Sequence, residues 1–220
     1  MDTSLPAAIE TWQELFEAKA AEVYPPSDPS HDLLHVQRVV AAARRLAGEE
    51  GADLHVVLPA AWFHDCVAVA KNDPRRKQAS RLSADAACDW LRAAEYPAQY
   101  LPAIHHAIEA HSFSAGVPAQ TLEAQVVQDA DRLDALGAIG IARLFTVTGL
   151  LGRPYYDGAD VLAEERAPDD SRFGLDHFQV KLFGLVERLN TAAARREGQE
   201  RLAFMREFRA RFAQEVRGVV

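Results

Sequence analysis

The sequence predicts an all-α fold, a single-domain helical bundle. Three observations carry this. Apolar residues recur at three- and four-residue intervals along most of the chain, no run alternates apolar and polar residues as a half-buried strand would, and Pro and Gly gather at a few breaks. A chain of 220 residues fits one domain better than two, at about 150 residues per domain. With 49% hydrophobic and 25% charged residues, it has the balance of a folded globular protein rather than a disordered one.

The first helix is expected over 8–23, where Ile9, Trp12, Leu15, Phe16, Ala20 and Val23 share the helical spacing. Pro25, Pro26 and Pro29 break the chain, and Asp28 or Ser30 can cap a second helix over 31–51 with Leu34, Val36, Val39, Val40, Ala43 and Leu46 as its apolar face. A third, 54–69, is almost wholly apolar and belongs in the core. Residues 71–81 are basic and read as a loop. Helices follow over 83–95 and 98–112, and 120–151 forms one long helix or two joined near Gly137 and Gly140. Those two glycines read as close helix packing rather than a phosphate loop. Residues 152–174, rich in Gly, Pro, Asp and Arg, are expected to be a surface loop, with helices again over 178–189 and 192–216.

Charge and cysteine content narrow the function. Thirty-two acidic residues against 24 basic ones give a net charge of −8, which argues against a nucleic-acid partner, because duplex binding depends on neutralising phosphates. The two cysteines, Cys66 and Cys88, make no CxxC pair, so a disulfide framework is not expected and a reducing cytoplasm is. No stretch approaches 18 uncharged apolar residues, which argues against a membrane span, and Met1 to Pro6 do not read as a secretory signal.

The chemistry is expected at histidines and carboxylates set in apolar helices. His31, Asp32 and His35 cluster at the start of the second helix, His64 and Asp65 stand side by side in the third, and Asp129, Asp131 and Asp134 interrupt a later apolar segment. Most histidines in such segments are ordinary core residues; the grouping is what sets these apart. An ionised aspartate there is costly unless paired, hydrogen-bonded or bound to metal. Imidazole with carboxylate, and no thiolate pair, suits Mn²⁺, Fe²⁺, Ni²⁺ or Zn²⁺ in a non-structural site. Spacing alone leaves a metal site and its absence evenly balanced. Asp129 and Asp131 point to opposite sides of one helix and cannot share an ion, whereas Asp134 lies on the face of Asp131. Arg132 is expected in a structural ion pair.

The stretches HDLLHVQRV (31–39), AAWFHDCV (60–67), EAHS (109–112), EAQVVQDADRLDALGAIGIAR (123–143) and HFQVKL (177–182) resemble the HD-domain superfamily of metal-dependent phosphohydrolases, whose order is His … His–Asp … Asp. Among its members the chain looks most like the single-domain bacterial ones similar to nucleoside triphosphate pyrophosphohydrolases. The resemblance implies an HD-type helical bundle and four metal ligands, His35, His64, Asp65 and Asp131, which are also the catalytic set. His31, one helical turn before His35, is the competing first ligand and is expected as a substrate contact. One divalent ion is expected, Mn²⁺ foremost, with Ni²⁺, Co²⁺, Fe²⁺, Zn²⁺ and Mg²⁺ as other candidates.

The expected reaction is direct hydrolysis of a nucleotide by metal-activated water, cutting a triphosphate to monophosphate and pyrophosphate. No Ser, Cys or Lys arrangement suggests a covalent intermediate, and Cys66 reads as inert packing. Lys77 and Arg81, from the basic segment, are the preferred phosphate contacts, with His111 as proton donor or phosphate contact and Lys181 a weaker candidate resting on the resemblance. The alternatives are a phosphomonoesterase of the 5′-nucleotidase type, an alarmone hydrolase, and a non-catalytic metal-containing nucleotide sensor. Cys66–Val67–Ala68–Val69 stands where an alarmone hydrolase normally carries an acidic pair, and none of the four ligands is missing, as one would be in a sensor.

Overall fold

Helix α1 (Glu10–Val23) buries Phe16 and Ala20, and α2 (Leu33–Glu50) buries His35, Val36, Val39, Val40, Ala43, Leu46 and Ala47, as the apolar spacing predicts, whereas Leu15 and Leu34, expected on the same faces, are exposed. The computed structural model describes residues 9–24, 32–69 and 73–219. Among these the chain is helical and turns, with no strand, so the all-α expectation holds. Two compact units are distinguished, residues 1–131 and residues 132–220.

In the first unit, α3 (Leu54–Phe63) is the central element and packs against α1, α2 and α5 (Leu101–His111), while α4 (Ala79–Ala93) packs on α5. Pro59 lies inside α3 and has no N–H to donate to the carbonyl of His55 one turn back. The Tyr96 hydroxyl donates to that carbonyl instead, at 2.7 Å. The edge of Phe63 meets Phe16 with ring centroids 5.8 Å apart, fastening α1 to the C-terminal end of α3.

Helix α6 (Leu122–Asp134) is followed by α7 (Gly137–Leu150), so the 120–151 segment is two helices. Gly137 and Gly140 make the join between them. Gly137 takes φ +71°, and a Cβ on Gly140 would lie 2.2 Å from the carbonyl oxygen of Ala135, within that join. Within the second unit, α7 packs on α8 (Ala192–Val216), whose N-terminus is capped by the Thr191 hydroxyl accepting from the Ala194 N–H.

Several boundaries depart from expectation. The cap of α2 is Asp32, whose side chain accepts from the His35 N–H; Asp28 and Ser30 lie outside the described residues. Helix α3 stops at Phe63 rather than 69. The basic segment is not loop throughout: Pro74–Gln78 forms a 3₁₀ turn begun by Asp73, whose carboxylate accepts from the Arg75 N–H, and α4 starts at Ala79. Residues 178–188 are a π-helical turn (Phe178–Leu182) and a 3₁₀ stretch (Phe183–Arg188) rather than α-helix; Gly184 within it weakens the α-helical alternative. The 152–174 segment is irregular as expected but not wholly superficial: Val161 and Ala163 are buried, and Arg166 clamps the buried Asp176 carboxylate through two hydrogen bonds of 2.5 and 3.0 Å. No single helix among the described residues is long and apolar enough to cross a membrane.

Candidate metal centre

Four elements of the first unit deliver side chains to one place. Helix α2 presents His35 in its first turn, where Asp32 Oδ1 accepts a 2.8 Å hydrogen bond from the His35 N–H. Helix α3 ends so that His64 is its C-terminal cap and Asp65 lies in the following turn. Helix α5 supplies His111 as its last residue, and α6 supplies Asp131. The Gln128 side chain on α6 donates to the Ala110 carbonyl at 2.7 Å, tying α6 to the end of α5.

His35 Nε2 lies 3.5 Å, and His64 Nε2 3.9 Å, from Asp131 Oδ1. His111 Nε2 lies 3.4 Å from Asp65 Oδ1. The ligand-type atoms of His35, His64 and Asp131 all fall within 4.8 Å of one another, and so do those of His64, Asp65 and His111, with His64 common to both sets. Two donors each about 2.1 Å from a shared ion lie within roughly 4.2 Å of each other, a condition the 3.5 and 3.9 Å separations meet.

The ring orientations are set from behind. His64 Nδ1–H donates to the Ala61 carbonyl at 2.8 Å and His111 Nδ1–H to the Ile108 carbonyl at 2.6 Å, so each turns Nε2 into the cluster. His64 Nε2 is buried and has no hydrogen-bond partner among the described residues. A buried imidazole nitrogen so placed lacks the bond that would offset its desolvation, and a cation supplies it. The residues present therefore fit a divalent metal ion.

Electrostatics agree. Burial pushes the His64 imidazole down to about 4, against the opposing pull of Asp65, so it is neutral and able to ligate at neutral pH. Burial alone would raise the Asp131 carboxyl; the imidazoles of His64, His35 and His111 outweigh it and hold the group below its ordinary value. Burial would likewise lower His111, but the carboxylate of Asp65 outweighs it and lifts the imidazole to about 9. The donor set is nitrogen and oxygen only. The Cys66 thiol reaches the Ser83 carbonyl, 3.5 Å away, and burial pushes it up to about 12, far from a reactive thiolate.

Of the residues singled out from sequence, His35, His64, Asp65, Asp131 and His111 are brought together. His31 lies outside the described residues. Lys77 sits on the 3₁₀ turn and Arg81 in the first turn of α4; both are exposed. Their neighbours are engaged, Arg75 with the Asp73 carboxylate at 2.9 Å and Arg76 with the Val69 carbonyl at 2.9 Å, whereas Lys77 and Arg81 make no hydrogen bond or ion pair among the described residues. Lys181 is exposed in the second unit. Arg132 donates to the Arg188 carbonyl, and Asp134 holds Arg143 at 2.8 Å. Sequence reasoning missed the pairing of His111 with Asp65 and the carbonyls that turn the rings. No local signal marks them, because the pairing depends on how α5 packs on α3 and the ring bonds on imidazole rotamers.

The HD-domain family model matches residues 33–136. An uncharacterized protein, YpgQ of Bacillus subtilis (strain 168), is 33% identical over 193 residues, covering 86% of each chain. The chain belongs to the HD-domain phosphohydrolase superfamily. Among solved structures, the HD-domain chain resembles B. subtilis YpgQ in complex with ADP at a TM-score of 0.72 and 31% identity, over 94% of this chain and 99% of that one. It also resembles an HD-superfamily hydrolase from Bacillus thuringiensis at a TM-score of 0.71 and 30% identity, over 92% and 95% of the two chains. HD domains bind divalent metals, and the His and Asp groups described above are ones that could hold such an ion.

Proposed function

We propose that this protein is a metal-dependent nucleotide phosphohydrolase of the cytoplasm that cuts a nucleoside triphosphate to monophosphate and pyrophosphate. The observation that carries the reading is the convergence of His35, His64 and Asp131 around the buried, unpartnered Nε2 of His64. The nucleotide is supported by the ADP bound to the related YpgQ. In this reading His35, His64, Asp65 and Asp131 hold one ion, with His64 common to the His35–Asp131 and Asp65–His111 groups. The nitrogen and oxygen donor set favours Mn²⁺ or a similar ion over a structural zinc.

A divalent ion held there supplies a water of lowered pKa and offsets the negative charge on phosphorus. The protein's own groups do the rest. The Ala61 and Ile108 carbonyls keep His64 and His111 turned inward without reorganisation during turnover. His111, paired with Asp65, is positioned to hold or deliver a proton at Nε2. Lys77, Arg81 and His31 would contact substrate, with Lys181 a further candidate on its family resemblance; Lys77 and Arg81 have no competing acid among the described residues. With Cys66 protonated and turned toward Ser83, hydrolysis proceeds by direct attack of water.

The test is a screen of nucleoside tri-, di- and monophosphates with added Mn²⁺ or Co²⁺, scoring pyrophosphate against orthophosphate. Pyrophosphate from triphosphates is the expected result. Orthophosphate from monophosphates would favour the phosphomonoesterase, and tight nucleotide binding without hydrolysis would leave a sensor.

A further inference from the structure

We infer that Tyr24 is a positioning residue for the His64–Asp65 pair. The inference rests on the metal reading above and extends it to a residue of the N-terminal helix. Tyr24 caps α1 and is 4% exposed, so its hydroxyl is taken out of water. That hydroxyl donates to the Trp62 carbonyl at 3.0 Å and accepts from the Asp65 N–H at 3.3 Å. Both partners are backbone groups at the end of α3, where the helix no longer supplies its own hydrogen bonds.

The same stretch is held from its other side. The Ser83 hydroxyl on α4 accepts from the Val67 N–H at 3.1 Å, and the Cys66 thiol reaches the Ser83 carbonyl at 3.5 Å. The peptide that carries His64 and Asp65 is thus fixed from α1 and from α4, leaving its two side chains to the cluster. A phenylalanine at 24 would fill nearly the same volume, so packing does not require the oxygen; a buried phenol is tolerated because its hydroxyl finds these partners. Rotation of the Asp65 peptide would swing the carboxylate and the neighbouring imidazole together, which makes the hydroxyl a control on ligand geometry. Groups that orient metal ligands in this way are worth about 10–100-fold in metal affinity.

The experiment compares wild type, Tyr24→Phe and Phe16→Leu as metal-free full-length proteins. Mn²⁺ alone is titrated and free Mn²⁺ is followed by electron paramagnetic resonance, and amide exchange at Asp65 is measured before metal is added. Phe16→Leu thins the aromatic packing that joins α1 to α3 without touching a hydrogen bond to the doublet, so it reports on stability alone. The expected result is Mn²⁺ affinity lowered about 10–100-fold and faster Asp65 exchange in Tyr24→Phe, with affinity kept in Phe16→Leu despite a lower melting temperature. Unchanged affinity in Tyr24→Phe, or an equal loss in Phe16→Leu, overturns the positioning role while leaving the metal reading intact. A wild type that binds no Mn²⁺ overturns the metal reading and this inference with it.

Discussion

His35 Nε2 and Asp131 Oδ1 stand 3.5 Å apart, one carried by the first turn of α2 and the other near the end of α6. Chain folding, not local spacing, makes this contact, and Asp131 pays for its place by facing imidazoles. Asp131→Asn keeps the shape and removes the charge. It should abolish bound metal and turnover and modestly lower the melting temperature of the metal-free protein, since the folded site favours the ionised carboxylate over a neutral group. Elemental analysis beside a melting curve checks both halves.

Lys77 and Arg81 are exposed cations of the segment after the His–Asp pair that make no hydrogen bond or ion pair among the described residues. If they grip phosphate, Lys77→Ala and Arg81→Ala should each raise KM about ten- to a hundredfold, the loss of a charge-assisted contact of roughly 1.5–3 kcal/mol. Metal content and melting temperature should not move. Arg75→Ala, which removes a cation already paired with Asp73, is the control and should leave KM unchanged.

The cap of α2 is linked to the site through the bond from the His35 N–H to Asp32 Oδ1 at 2.8 Å. Asp32→Ala should cost about 1 kcal/mol, lowering the melting temperature by about 2–4 °C in a protein of this size. Asp32→Ser should recover most of it. Thermal unfolding of the three proteins decides the matter.

Two glycines of α7 make opposite predictions. A Cβ at Gly140 would lie 2.2 Å from the Ala135 carbonyl oxygen, whereas one at Gly149 meets nothing within 4 Å. Gly140→Ala should destabilise by at least about 1–3 kcal/mol, because backbone rather than a flexible side chain must shift. Gly149→Ala should stabilise by about 0.5–1 kcal/mol. Denaturant midpoints measure both.

Burial pushes the Cys88 thiol from near 9 up to about 11. Between those values the unfolded chain has lost the proton that the folded chain keeps, so the group's contribution to stability is complete below pH 9 and falls as pH rises toward 11. Cys88→Ala should therefore show a shallower alkaline loss of stability than wild type, measured as the change in melting temperature between pH 8 and pH 10.5. An unchanged slope would place the thiol in contact with water.

Much of the helix pattern was legible because a buried face repeats regularly: the last helix begins at Ala192 and ends at Val216, where its spacing ends. The end of α3 was not. Cys66, Val67, Ala68 and Val69 continue its apolar run, so periodicity carries the helix onward, while the backbone leaves it for the Tyr24 and Ser83 hydroxyls, partners distant in sequence. The gathering of His35, His64, Asp65 and Asp131 was expected only through the order of the motif. That His111 faces Asp65 could not be read from EAHS, because it depends on how α5 packs on α3. The ring-orienting bonds to Ala61 and Ile108 depend on imidazole rotamers, which hydropathy does not encode.

The central claim is that one divalent ion sits among His35, His64 and Asp131. Diffraction from crystals soaked in Mn²⁺, collected at the manganese absorption edge, tests it most directly. The expected result is a single strong anomalous peak within coordination distance of the Nε2 atoms of His35 and His64 and of Oδ1 of Asp131, absent from Asp131→Asn crystals treated alike. A fully soaked wild-type crystal with no peak there, or with manganese only at surface carboxylates, would contradict it.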